Sequence, residues 1–130
     1  RARKIRKGLG GGMRQSGVIA CLGIYSLDNM VDQLKEDHSN AQFLAEELSK
    51  SEFVEIDSDK VQTNLVYFKL SNSSIHSDTF VEECEKKGLL FYYTGGGQYR
   101  LVTHLGIDKE DVQNAVDIIV NVLNLLEEKN

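Results

Sequence analysis

Hydrophobic positions along the chain change spacing several times, and each change marks an element. Residues 13–27 are apolar on nearly all sides, with Gly17, Ala20, Cys21 and Gly23 as small members. A helix without a polar face is buried against a partner rather than laid on a surface. That partner is either the rest of a larger protein or another subunit. Asp28-Asn29 offers an N-cap for a long helix over about residues 29–50. There Val31, Leu34, His38, Ala41, Ala45 and Leu48 step by three and four along one stripe, with Leu44 beside it.

Residues 52–62 are polar and read as a loop or a short edge piece. Residues 64–70 follow with Leu65, Val66, Tyr67 and Phe68, a strand by composition. The polar run 71–74 is a turn. Ser77 or Asp78 caps a short helix through Lys87, with Phe80, Val81 and Cys84 on one face and Gly88 as its stop. A second strand is expected over 89–93, a tight connection at Gly95-Gly96-Gly97, and a third strand over 98–103. The last two pair as a hairpin. Asp108 caps a final helix to about Glu127, with Asp111 placed as the acid of a capping box. Its apolar face is Val112, Ala115, Val116, Ile119, Val122, Leu123 and Leu126. These elements predict an α+β fold: a small antiparallel sheet of about three strands, helices packed on one face, and a long helix before it.

Composition narrows the class. At 130 residues, 41% hydrophobic and 27% charged, the chain is of ordinary globular type. The apolar run 18–27 is half the roughly 20 residues that a bilayer crossing needs, so no membrane partner is expected. No secretory signal pattern opens the sequence. Cys21 and Cys84 are too few for a disulfide framework or a zinc site and read as small buried hydrophobes, so no metal is expected and a reducing, cytoplasmic setting is. Six cations fall within the first fourteen residues, at Arg1, Arg3, Lys4, Arg6, Lys7 and Arg14, while all 20 acids lie at Asp28 or beyond. A basic arm suggests nucleic acid. Yet it has no aromatic residue to stack on a base, and the acidic remainder repels phosphate backbones. A non-catalytic basic-arm module for nucleic acid or anions is therefore the rival reading, and a solvated basic helix the plain one.

Two places carry candidate chemistry. The first is Lys7-Gly8-Leu9-Gly10-Gly11-Gly12-Met13-Arg14-Gln15-Ser16-Gly17. Glycines allow close approach of other atoms, and a helix N-terminus leaves N–H donors free for an anion. Arg14, expected in the first helical turn, opposes the helix dipole unless an anion or a carboxylate partners it. The spacing fits neither the dinucleotide fingerprint nor the P-loop. The second place is Arg100, on a strand after a glycine turn, where a planar guanidinium can grip a carboxylate bidentately or pair with a neighbouring acid. His38 stands without a second ligand near it, which favours a local hydrogen bond over a metal or base role.

The segment Arg3-Lys4, Arg6-Lys7, Gly10-Gly11-Gly12-Met13-Arg14-Gln15-Ser16-Gly17 resembles the part of low-specificity L-threonine aldolases that follows their pyridoxal-phosphate lysine. Three later pieces agree in order: Glu36-Asp37-His38-Ser39-Asn40-Ala41, Thr63-Asn64-Leu65-Val66-Tyr67-Phe68 and Arg100-Leu101-Val102-Thr103-His104. The resemblance implies the C-terminal part of a fold-type I pyridoxal-phosphate enzyme. Residues 1–27 would be the tail of the upstream large domain and a subunit interface, and residues 28–130 the small domain. It further implies a homo-oligomer, the cofactor pyridoxal 5'-phosphate with its phosphate reached by Lys7 and Arg14, and an amino-acid substrate whose carboxylate Arg100 grips. The expected reaction is cleavage of L-threonine or L-allo-threonine to glycine and acetaldehyde. The alternative within this resemblance is another amino-acid lyase or transferase of the same fold. The Schiff-base lysine, the ring-stacking residue and the acid facing the pyridine nitrogen have no counterpart in these residues, so no catalytic residue is expected here and this segment alone should be inactive. His104 is assigned a structural hydrogen bond.

Overall fold

A computed structural model describes residues 1–128. The chain divides into two compact units, residues 1–32 and the residues from Gln33 onward.

The first unit holds two helices, α1 (Ala2–Gly8) and α2 (Gly17–Asn29), and neither buries a residue. Arg6 and Lys7 occupy the last turn of α1, where the helix dipole favours cations. Gly10 takes φ +90°, which turns the chain back so that the Gly11 N–H donates to the Arg6 carbonyl at 2.8 Å. On α2, Val18, Leu22 and Leu27 are 68%, 65% and 72% exposed. Two expectations change here. Asn29 ends α2 rather than opening the next helix, and its Nδ2 donates to the Tyr25 carbonyl at 2.8 Å. Continuing the i→i−4 ladder of the apolar run outweighs the capping preference of Asp28-Asn29. Arg14 lies in the turn before α2 rather than in its first turn.

The second unit runs α3 (Leu34–Leu48), β1 (Val54–Glu55), a 3₁₀ turn, β2 (Leu65–Leu70), α4 (Ser77–Lys86), β3 (Tyr92–Gly95), β4 (Gln98–Val102) and α5 (Lys109–Glu127). It is an α+β unit with a four-stranded antiparallel sheet in the order β1-β2-β4-β3. The strand beyond the expected three is β1, a two-residue edge piece paired with Lys69 and Leu70. The expected hairpin forms, but β3 starts at Tyr92 rather than 89 because Phe91 turns into the core. Gly96 and Gly97 make its turn at φ +61° and +79°, a region that glycine enters without strain.

Alternation along β2 and β4 sends Val66, Phe68, Tyr99 and Leu101 inward against α3, α4 and α5. Tyr99 stacks on Phe68 at 5.2 Å and meets Phe80 edge-on at 5.2 Å, and its hydroxyl donates to Ser77 Oγ at 3.1 Å. The five inner residues of α5, Val112, Val116, Ile119, Val122 and Leu123, are the expected face. Its N-terminus carries the full capping box, with Asp108 Oδ1 accepting from Glu110 and Asp111 N–H and Asp111 Oδ2 accepting from Asp108 N–H.

The inner face of α3 is rotated from the expected stripe. Asp37, Asn40, Ala41, Leu44, Ala45 and Leu48 are buried, while Val31, Leu34 and His38 are exposed. Polar docking at the helix's first turns explains this. Thr103 Oγ1 donates to the Asp37 carbonyl at 2.7 Å, and Asn40 Nδ2 donates to the Ile107 carbonyl at 2.8 Å. Asn64 completes the cluster: its Nδ2 donates to the Thr103 carbonyl at 2.8 Å and its carbonyl accepts from Thr103 N–H at 3.0 Å. A buried backbone-directed bond of this kind contributes about 1–3 kcal/mol when its loss leaves a group unpaired. Thr103→Val should therefore lower unfolding free energy by that amount in urea titration, whereas Thr103→Ser should recover most of it.

Cys84 is buried in α4, and burial, aided by the Glu83 charge, pushes its thiol from 9.0 up to about 12. Burial also raises the Tyr99 phenol. Both groups lose their protons more readily in the unfolded chain, so their contribution to stability is whole below pH 9 and is lost as pH rises toward about 12. Denaturation midpoints followed across that window should fall with pH, and Cys84→Ala should flatten the slope.

Candidate functional site

The glycine loop between α1 and α2 is built by close contact. A Cβ on Gly11 would stand 2.8 Å from the Arg6 carbonyl oxygen, and one on Gly12 would stand 3.0 Å from Lys7 Cγ. Only glycine at 11 lets the loop fold back onto the end of α1. The result is a cleft lined by Arg6, Lys7, Gly11, Gly12, Met13 and Ser16. Lys7 lines it, and Arg14 does not. Ser16, at the N-cap of α2, makes no side-chain cap bond. Two cations and a glycine wall suit an anionic group by charge and by access.

Arg100 sits at the middle of β4 in the second unit. Its register partners are Tyr67 on β2 and Tyr92 on β3. Because Tyr99 and Leu101 point inward, Arg100 belongs to the outer face of the sheet, with Leu65, Tyr67 and Val102. The side chain is half-buried and its Nε, fully shielded from solvent, has no hydrogen-bond partner among the described residues. No ion pair of Arg100 with a carboxylate occurs among those residues. The pairing of Arg100 with a neighbouring acid is thus absent among the described residues. A shielded, unpaired guanidinium N–H costs free energy until a partner satisfies it. The guanidinium carbon lies 5.6 Å from the centre of the Tyr92 ring.

His104 Nδ1 lies 2.9 Å from the Leu105 carbonyl oxygen, the local hydrogen bond expected of it. His38 stands on the exposed side of α3 rather than on its inner stripe. No group of three or more metal-ligating side chains occurs among the described residues, and no helix among them is long and apolar enough to cross a membrane. The apolar cavity of about 370 Å³ against α5, lined by Leu89, Leu101, Ile107, Val112, Ala115 and Ile118 among others, does not include Arg100.

Sequence reasoning missed the two tyrosines around Arg100 and the cluster of Asp37, Asn40, Asn64 and Thr103. The signal for the cluster was present, because its members fall in the three segments 36–41, 63–68 and 100–104. What was missing was the pairing of β2 with β4, which brings those segments together. Strand order is not carried by composition.

Comparison with known proteins follows the same lines. Residues 1–71 match the family model described as beta-eliminating lyase. Low-specificity L-threonine aldolase from Escherichia coli K12 is 36% identical over 112 residues, covering 86% of this chain and 32% of that protein. Low-specificity L-threonine aldolase 1 of Arabidopsis thaliana is 27% identical over 129 residues, 98% of this chain and 36% of that protein. The chain thus spans about a third of the length of the curated relatives it matches. Among solved structures, the α-aminoadipate aminotransferase LysN of Thermus thermophilus, complexed with N-(5'-phosphopyridoxyl)-L-leucine, superposes with a TM-score of 0.64. The match covers 86% of this chain and 31% of that one at 14% identity, a likeness of fold. On the family match over more than half of its length, the chain belongs to the beta-eliminating lyase family.

Proposed function

We propose that the chain works as the C-terminal part of a pyridoxal-phosphate-dependent aldolase that cleaves L-threonine or L-allo-threonine to glycine and acetaldehyde. The observation that carries this reading is the unpaired, shielded Nε of Arg100 on a chain whose relatives bear the threonine aldolase name. Arg100 grips the α-carboxylate of the amino acid through its planar fork of donors. Holding that end fixes which bond at the α-carbon faces the reacting group, and it removes the need to reorient the substrate later.

The residues of the first unit fit the phosphate end of the cofactor. Lys7 lines the cleft together with Arg6, Gly11 and Gly12, and Arg14, in the turn before α2 and outside that lining, is the further cation we assign to the phosphate. Pyridoxal phosphate, when bound, supplies the electron sink for cleavage beside the α-carbon. In this reading the lysine that carries it covalently, the residue stacked on its ring and the acid facing its pyridine nitrogen come from the part of the relatives' length that the chain does not span. The exposed apolar side of α2 supports an interface in a homo-oligomer, and the two free cysteines suit the reducing cytoplasm we assign to the protein.

In the holoenzyme, Arg100→Ala should raise KM for L-threonine by about tenfold to a hundredfold, the range of a lost charge-assisted hydrogen-bond pair. Steady-state kinetics with unchanged KM would sink the clamp. Lys7→Ala, Arg14→Ala and Gly11→Ala should each speed loss of cofactor on dialysis, measured by absorbance, while KM at saturating cofactor stays near that of the parent. Gly11→Ala makes the decisive comparison, since it removes no charge.

A further inference from the structure

We propose that Tyr92 is a positioning residue for Arg100, holding the guanidinium from its face while leaving its N–H donors to the ligand; this role rests on Arg100 acting as the carboxylate clamp. Tyr92 and Arg100 are register partners on β3 and β4, and the guanidinium carbon lies over the Tyr92 ring at 5.6 Å from its centre. Its neighbours on the outer face of the sheet are Leu65, Tyr67, Lys69, Gln98, Val102 and Tyr92, and none of these is a carboxylate. The choice of neighbour matters chemically. An acid beside Arg100 would hold it in place, but it would occupy the same in-plane donors that an incoming carboxylate needs. An aromatic ring attracts the cation through its π face and accepts none of those in-plane bonds. It therefore fixes the side chain without competing for it.

The position is also well supported from below. Tyr93, the next residue on β3, packs its ring 5.2 Å from Tyr99, and its hydroxyl accepts from the Gly97 N–H at 3.0 Å. The strand that presents Tyr92 is thus tied to the core and to the hairpin turn. Tyr92 itself is 68% exposed, so its replacement removes no core packing.

The test compares Tyr92→Leu, Tyr92→Phe, Arg100→Ala and the double variant Tyr92→Leu/Arg100→Ala in the holoenzyme. Glycine binding is read by calorimetry, L-threonine turnover by steady-state kinetics, and integrity by thermal midpoint. Tyr92→Leu should raise the glycine Kd and the threonine KM about threefold to tenfold, with kcat within twofold and an unchanged midpoint. Tyr92→Phe should restore both constants to within about twofold of the parent. In the Arg100→Ala background, Tyr92→Leu should have no further effect. Parent-like binding in Tyr92→Leu, a loss in Tyr92→Phe equal to that in Tyr92→Leu, or additive losses in the double variant would each overturn the positioning role while leaving the clamp in place. Parent-like binding in Arg100→Ala would overturn the clamp, and the positioning role with it.

Discussion

Tyr99 is gripped by Phe68 and Phe80 at 5.2 Å each and by a hydrogen bond to Ser77, and the rest of the second unit depends on that placement. The side-chain period of a strand is two, so fixing Tyr99 inward fixes Arg100 outward. A slip of one residue would bury a guanidinium and expose Tyr99 and Leu101, a cost far beyond a few hydrogen bonds. The aromatic cluster thus sets more than stability. It decides which side of the sheet carries the cation.

A second constraint acts at the end of the same strand. Thr103 engages its N–H, its carbonyl and its hydroxyl with Asn64 and Asp37. Together with Asn40 and Ile107, these bonds join α3, β2 and the loop after β4. Packing sets the inward face, and this polar cluster sets how far β4 runs. The first unit relies on different physics, since its helices bury nothing and its loop shape follows from close approach at the glycines and backbone bonds to the end of α1.

Legibility in the sequence followed the strength of local signals. The α5 helix, its Asp108–Asp111 box and its apolar face were readable because spacing and cap agree there. The hairpin before it was readable from three glycines. The start of α3 was not, because Asp28-Asn29 carries a cap signal that the apolar ladder of α2 overrides. The inner face of α3 was misplaced for a related reason. Its burial at Asp37 and Asn40 is offset by bonds to residues more than sixty positions away, which no periodicity reveals. Of the candidate site, Arg100 was visible as an arginine after a glycine turn, and Lys7 and Arg14 as cations around glycines. The aromatic neighbours of Arg100 depend on strand order and were not visible.

The sheet has two outer strands, and both are poor templates. On one side β1 offers two residues. On the other, β3 is interrupted by a bulge between Tyr93 and Gly95 before it runs into the glycine turn. Short or bulged margins do not extend by adding another chain's strand. Growth into ordered aggregates through continued main-chain pairing is therefore blocked at both margins. What the described residues leave open to contact is side chains, those of α2 and of the outer sheet face among them.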